Sequence, residues 1–329
     1  MSRLGFILIG RNEGERLERC LDSIPRWASA VVYVDSGSTD GSVALARSKG
    51  ASVVILDAAM PFTAARARNA GFERLLSLNP EIEFVQFVDG DCELDRAWPE
   101  RGVHELEARP EVAVICGRRR ERFPDRTIYN RIIDMEWDTP VGDAKACGGD
   151  AMMRVGSFRQ VGGFNPKLIA GEEPELCVRL RQKGWKILRI DAEMTIHDAA
   201  MTRFQQCWKR NVRAGHAYSE GAAMHGRAPE RHWVRETVSI VFWGFLLPLF
   251  SLSLVHSSHG SSLLLLAGYP ILALRIYRRS RRRMQRADAS LWALYCVLSK
   301  FPMFVGCAEY FLSRITGNPR RLVEYKGSA

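Results

Sequence analysis

No two of the eight cysteines stand in a CxxC pair, and Cys20, Cys92, Cys116, Cys147, Cys177, Cys207, Cys296 and Cys307 are scattered along the chain. That spacing gives neither a zinc ribbon nor a disulfide framework, and it fits reduced thiols in a cytosolic compartment. The opening residues do not read as a signal peptide, because Arg3 precedes only a short apolar run that gives way to Arg11, Glu13 and Glu15. Internal repeats and low-complexity linkers are also missing. The most informative absence is of charge: Thr237 to Leu274 contains no Asp, Glu, Lys or Arg, well beyond the ~20 apolar residues that one membrane-spanning helix needs.

What charge there is lies unevenly. The formal net charge is +10, and much of the excess sits in Arg275, Arg278, Arg279, Arg281, Arg282, Arg283 and Arg286, beside that uncharged stretch. A basic cluster flanking an apolar segment reads as a cytoplasmic face turned to anionic lipid rather than as a nucleic-acid surface. The interleaved basic and aromatic platform of single-strand binders is lacking too. The expected organisation is a catalytic domain over 1–228 and a membrane-anchoring region over 229–329. Within that region we expect a helical hairpin over about 238–277, turned by His256-Ser-Ser-His-Gly. A third apolar stretch, about 291–312, is interrupted by Lys300, Pro302 and Glu309. Crossing there would carry Arg314, Arg320, Arg321 and Lys326 outside, so an interfacial or re-entrant helix with a cytosolic tail is expected.

The first half of the chain alternates strand and helix. Leu4 to Ile9, Ala30 to Val34, Ala51 to Leu56 and Phe84 to Asp89 are apolar runs of strand length, separated by segments with helical spacing such as Leu17, Cys20, Leu21 and Ile24. Short loops between them imply an α/β fold, a mostly parallel sheet with helices on both faces. Val112 to Gly117 and Trp185 to Ile190 add strands, and Gly148-Gly-Asp150-Ala-Met-Met-Arg turns into another. Arg118 to Thr139 has no clean period.

In such sheets ligands lie outside the carboxyl ends of the strands. Phe84-Val-Gln-Phe-Val runs into Asp89-Gly-Asp91 there. Paired carboxylates at that place suit a divalent cation bridging to a phosphorylated ligand. Further on, Gly171-Glu172-Glu173-Pro174 precedes a helix with Leu176 and Leu180 on its buried stripe, and Pro174 fits the first helical turn.

Asn12-Glu13, the loop Val34-Asp35-Ser-Gly-Ser38-Thr-Asp40-Gly, the turn Arg68-Asn69-Ala-Gly, Asp89-Gly-Asp91 and Glu172-Glu173 followed by Glu-Leu-x-x-Arg-Leu occur in this order. Together they resemble the inverting family 2 glycosyltransferases with the GT-A nucleotide-diphospho-sugar transferase fold, over about residues 4 to 215. The resemblance implies a UDP- or GDP-sugar donor contacted by Asn12, Glu13, Asp35, Ser38, Asp40, Arg68, Asn69 and Asp89. It implies Mg²⁺ or Mn²⁺ held by Asp91 first, with Asp89 at the metal or the ribose and His197 completing the site. Glu173 is the implied general base, one methylene longer than the family's aspartate, with Glu172 the alternative. Asp150, Arg203, Arg210 and Arg213 are further candidates for diphosphate or acceptor contacts. Gln205 to Arg210 is only loosely similar to the Gln-x-x-Arg-Trp element of processive synthases, because the order differs.

The resulting expectation is a metal-dependent glycosyltransferase at the inner face of the cytoplasmic membrane. It would move a sugar to a hydroxyl of a lipid-linked or membrane-proximal glycan. A polyprenyl-phosphate glycosyltransferase is the alternative, and a non-catalytic nucleotide-sugar-binding scaffold ranks below both.

Overall fold

A computed structural model describes residues 3–317 of the chain; Arg320, Arg321 and Lys326 of the expected cytosolic tail lie outside the described residues. The chain divides into two compact units. One runs to Phe123 and resumes over Glu136–Ala199; the other takes Pro124–Met135 and the chain from Ala200 onward.

The first unit is built on a nine-stranded sheet. In chain order the strands are β1 (Leu4–Gly10), β2 (Ala30–Asp35), β3 (Ser52–Ile55), β4 (Phe84–Asp89), β5 (Cys92–Leu94), β6 (Val112–Glu121), β7 (Gly142–Asp143), β8 (Ala151–Arg154) and β9 (Lys186–His197). Their order across the sheet is β3-β2-β1-β4-β8-β6-β9-β5, with β7 on β9. The pairs β3-β2, β2-β1 and β1-β4 are parallel, as the alternation of strands and helices predicts. Beyond β4 the sheet is mixed, because β8 enters antiparallel to both β4 and β6.

Helices α1 (Glu15–Asp22), α2 (Ser42–Ser48), α3 (Ala64–Leu78), α4 (Trp98–Ala108), α6 (Val155–Gln160) and α7 (Glu172–Gln182) connect the strands, and α5 (Ile128–Trp137) ends at the return into this unit. Phe6, Ile7 and Leu8 are fully buried, so β1 is covered on both faces, as expected of a central parallel strand. The aperiodic 118–139 segment resolves into the last turn of a long strand and a helix. β6 continues through its arginines to Glu121, and α5 follows. Charged residues mask the apolar signal of that strand.

The second unit is helical: α8 (Phe204–His225), α9 (Val234–Val241), a π-turn over Phe242–Leu246, α10 (Leu247–Ser253), a 3₁₀ segment over Ser261–Ala267, α11 (Gly268–Ser280), α12 (Arg286–Leu298) and α13 (Lys300–Thr316). α8 and α13 pack through glycine. A Cβ on Gly215 would lie 1.9 Å from the Met303 carbonyl oxygen, and one on Gly306 would lie 1.9 Å from that of Val212. Backbone meets backbone at this crossing, which only glycine permits. Two helical segments, Val234–Ser253 and Arg286–Thr316, are long and apolar enough to cross a membrane by length and composition. The first contains the start of the expected hairpin. The second runs through the stretch expected to be interfacial or re-entrant, while the returning arm of the hairpin contains the 13-residue α11.

Candidate active site

Parallel register brings the acidic loops together. Gly10 lies opposite Asp35 and Ile9 opposite Asp89, so β1, β2 and β4 end at one level and their loops share the carboxyl edge of the sheet. Across that edge Cys92 of β5 pairs with His197 of β9, and Glu121 of β6 pairs with the same histidine.

The β1 and β2 loops are bound to each other. The Asn12 backbone N–H donates to Ser38 Oγ at 2.9 Å, and its side-chain oxygen accepts from the Thr39 N–H at 2.7 Å. Asp35 is buried and accepts from the backbone of Gly37 and Ser38, and from the Tyr33 hydroxyl at 3.2 Å. This shapes the loop and pushes the Tyr33 phenol well above its ordinary range, through burial first and the Asp35 charge second. Partial burial would raise Asp40, but hydrogen bonds from Ser42 prevail and hold its carboxyl below the ordinary value. Glu13 forms an ion pair with Arg16 at 2.8 Å.

The turn at the start of α3 reaches under this edge. Arg68, 3% exposed, donates to Asp89 Oδ1 at 2.8 Å and to Glu172 Oε1 at 2.7 Å. Burial disfavours its charge, yet the Asp89 and Glu172 carboxylates prevail and keep it protonated. Asn69, expected beside the nucleotide, uses both ends of its amide on the backbone of Phe164, at 2.7 and 2.9 Å. It thereby fixes the loop that leads to α7.

Asp91 and His197 meet, with Nε2 3.0 Å from Oδ2. Asp91, Cys92 and His197 offer donor atoms within 4.8 Å of one another. Burial, then the Arg119 charge, pushes His197 down to about 4, so at neutral pH it is an uncharged imidazole. Burial also raises the Cys92 thiol, and its sulfur is the soft donor of the three. The Asp91 carboxylate and the neutral His197 imidazole are the donors of this group that suit Mn²⁺ or Mg²⁺. Asp89 points instead to Arg68 and stands nearest Cys92 and Asp150 in the donor geometry.

Asp150 is fully buried. It accepts from the Asp89 backbone N–H at 2.9 Å and from the Thr195 hydroxyl at 3.0 Å, and it pairs with Arg119 at 2.7 Å. Arg119 also lies over the Trp137 ring at 5.1 Å, and Trp137 meets the His197 ring edge-on at 4.7 Å. Arg119, Trp137 and Thr195 escaped the sequence reading. The one available signal was period two: Thr195 shares a face of β9 with His197, and Arg119 is its register partner.

Glu172 and Glu173 open α7 after Gly171, whose φ of 78° is a value glycine adopts freely. Glu172 faces Arg68. Glu173 is 6% exposed, and its Oε1 accepts from the Cys147 N–H at 2.5 Å and from the thiols of Cys147 and Cys177, both at 3.0 Å. Arg203, Arg210 and Arg213 belong to the second unit, where Arg203 caps α8 and the other two lie within it.

Residues 6–162 match the sequence model of Glycosyl transferase family 2. Glycosyltransferase AglE of Haloferax volcanii is 24% identical over 219 residues, which are 62% of this chain and 69% of that protein. Among solved structures, the chain is similar to the mannosyltransferase PcManGT from Pyrobaculum calidifontis in complex with GDP-Man and Mn²⁺. The TM-score is 0.66 at 19% identity, over 95% of this chain and 88% of that one. It is also similar to S. aureus TarS 1–349, with a TM-score of 0.51 at 14% identity over 96% and 92% of the two chains. At these identities the likeness is one of fold.

Proposed function

We propose that this chain, whose residues 6–162 match Glycosyl transferase family 2 and whose fold is similar to that of PcManGT, moves a sugar, with inversion, from a nucleotide-diphosphate donor to a hydroxyl of a lipid-linked or membrane-proximal acceptor. The observation that carries this reading is the meeting of Asp91 with His197 in the same unit as the Arg68-bridged Asp89 and Glu172. The complex of PcManGT with GDP-Man and Mn²⁺ supports a nucleoside diphosphate donor and a divalent cation. Residues 1–228 form the catalytic part of this proposal and 229–329 the membrane part, with the catalytic site on the cytosolic side.

Asn12, Glu13, Asp35, Ser38 and Asp40 form the nucleoside side of the site, their loops pre-ordered by the Asn12–Ser38 and Asn12–Thr39 hydrogen bonds. Arg68 orients Asp89 toward the donor. Asp91 and His197 would hold the cation, whose contribution when bound is to neutralise charge on the departing diphosphate. Glu173 is the general base. Its three hydrogen bonds all fall on Oε1, leaving Oε2 to take the acceptor proton. The acceptor oxygen then bonds to the anomeric carbon, and the carbon–oxygen bond to the phosphate breaks with its electron pair on the nucleoside diphosphate. Glu172 is committed to Arg68 and keeps that cation in place.

A lipid-linked acceptor is supported by the helical unit. A cavity of about 450 Å³ there is lined by apolar residues, including Tyr129, Trp208, Leu294 and Leu298, within the size range of ligand pockets. Its α12 and α13 walls belong to the candidate span Arg286–Thr316, and its α8 wall presents Phe204, Cys207 and Trp208. An apolar chain suits such a place, and this keeps polyprenyl phosphate as the second reading of the acceptor. Labelled donor incubated with polyprenyl phosphate or with a glycolipid separates the two. Glu173→Gln is the decisive variant: sugar transfer to a hydroxyl should be lost while nucleotide binding survives. Near-normal turnover would remove Glu173 from the mechanism.

A further inference from the structure

Glu173 and Cys177 are four residues apart on α7, so their side chains share one face one turn apart. Cys147, from the loop between β7 and β8, closes on the same point. Its sulfur is 3.7 Å from Cys177 Sγ, and both sulfurs are 3.0 Å from Glu173 Oε1. All three residues are more than nine-tenths buried. Cys116, on β6, lies close enough to feel the charges of Glu173 and Cys177. The loop is fastened to the helix by a hydrogen bond from Arg181 to the Lys145 carbonyl. Two of the eight cysteines that the sequence scatters thus meet at one carboxylate.

We propose that Cys147, Glu173 and Cys177 form a site for a thiophilic divalent cation of the Zn²⁺ class, distinct from the Asp91–His197 pair. With Zn–S bonds of about 2.3 Å, two sulfurs on a tetrahedral ion stand about 3.8 Å apart, and here they stand 3.7 Å apart. A sulfur and a carboxylate oxygen on the same ion stand about 3.5 Å apart, so the carboxylate retreats roughly half an ångström from its present 3.0 Å contacts. The thiols now donate to the carboxylate that would share the cation with them. Binding therefore expels two protons and converts both thiols to thiolates.

The two sites differ in chemistry. Oxygen and imidazole at Asp91–His197 suit Mn²⁺ or Mg²⁺, and paired sulfurs select a softer ion. Because binding must release the thiol protons, affinity should fall steeply as the pH is lowered. An ion held here also occupies Glu173. If Glu173 is the base, as proposed above, Zn²⁺ at this site blocks transfer, and that consequence alone rests on the functional reading.

The test uses the reduced, chelator-stripped full chain, kept reduced with a phosphine and titrated with Cd²⁺. A thiolate-to-metal charge-transfer band should rise to one equivalent, with release of two protons per ion, and Zn²⁺ should displace it. The Cys147→Ser and Cys177→Ser variants should each bind at least tenfold more weakly, and the double variant should show no band. Cys207→Ser with Cys296→Ser should leave the band intact. No band in the folded wild type, or a band that persists in the Cys147→Ser/Cys177→Ser protein, overturns the site. Should the double variant melt early, Glu173→Gln serves instead: the site predicts a retained band with weakened affinity, and unchanged affinity counts against it. Stoichiometric binding with undiminished sugar transfer would leave the site standing and remove Glu173 as the base.

Discussion

Arg68 and Glu172, 104 residues apart in the chain, are joined by a 2.7 Å ion pair beneath the carboxyl edge of the sheet. The same guanidinium holds Asp89 at 2.8 Å, so one cation separates two carboxylates that would otherwise repel. Its removal takes the cation from Glu172 and the nearer of two arginines from Asp89, which also has Arg119 at 4.0 Å. Arg68→Met should cost about 3 kcal/mol of stability, read as a fall in the urea midpoint, and it should abolish transfer. Arg68→Lys should fall between the two, because an ammonium cannot reproduce the two-pronged contact. A midpoint within experimental error of wild type for Arg68→Met would show that the bridge is ornamental.

The Asp91–His197 pair makes a second expectation. EDTA should stop sugar transfer and Mn²⁺ should restore it. Asp91→Asn should lower turnover at fixed Mn²⁺ on the order of 100-fold, partly recovered at higher Mn²⁺. Cys92→Ala should change dependence on Mn²⁺ little, since a thiol is a poor ligand for so hard an ion. Full activity in EDTA would refute the cation's part in the reaction.

The sequence made the parallel half of the sheet legible because β1, β2 and β4 are largely apolar runs, broken only by Gln86 in β4, that end in Gly, Asp or Asp-Gly. The positions of Asp35, Asp89 and Asp91 could be read for the same reason: each stands at or just past the end of a buried strand. Arg119 and Trp137 were not, because a strand carrying Arg118, Arg119 and Arg120 shows no apolar alternation, and because a ring over an arginine leaves no trace in spacing. The Cys147–Glu173–Cys177 cluster was hidden for another reason. Only the i, i+4 pair on α7 is local, and Cys147 arrives from a loop 26 residues before Glu173. Asn69 illustrates the converse, since its amide is spent on Phe164 rather than left open toward a nucleotide.

The glycine crossing of α8 and α13 predicts a sharp size limit. At Gly215 and Gly306 the obstructing atoms are backbone carbonyls at 1.9 Å, which cannot rotate aside as a side chain can. Gly306→Val should force the helices apart and cost about 3 kcal/mol, seen as a lower melting temperature in detergent. Gly156→Ala, where a Cβ meets nothing within 4 Å, should stay within about 0.5 kcal/mol of wild type. Equal melting of both variants would mean that the two helices do not cross at these glycines.

Glu220 makes stability depend on pH. It lies on α8, with His216 Nδ1 3.7 Å away and Arg314 and Tyr310 of α13 nearby. Burial raises its carboxyl from 4.5 to about 7, and Arg314 offsets only part of that rise. The native state therefore binds this proton more tightly than the unfolded chain does. The stabilisation is fully present below pH 4.5 and is lost as the pH rises through about 7. Glu220→Gln removes the titration while keeping the shape. Relative to wild type it should melt at nearly the same temperature at pH 5 and be more stable at pH 8.5, by about 1–2 kcal/mol once partial exposure is discounted. Melting curves of the two proteins across that range provide the measurement. A difference that is flat with pH, or that shrinks as the pH rises, would show that Glu220 does not titrate there.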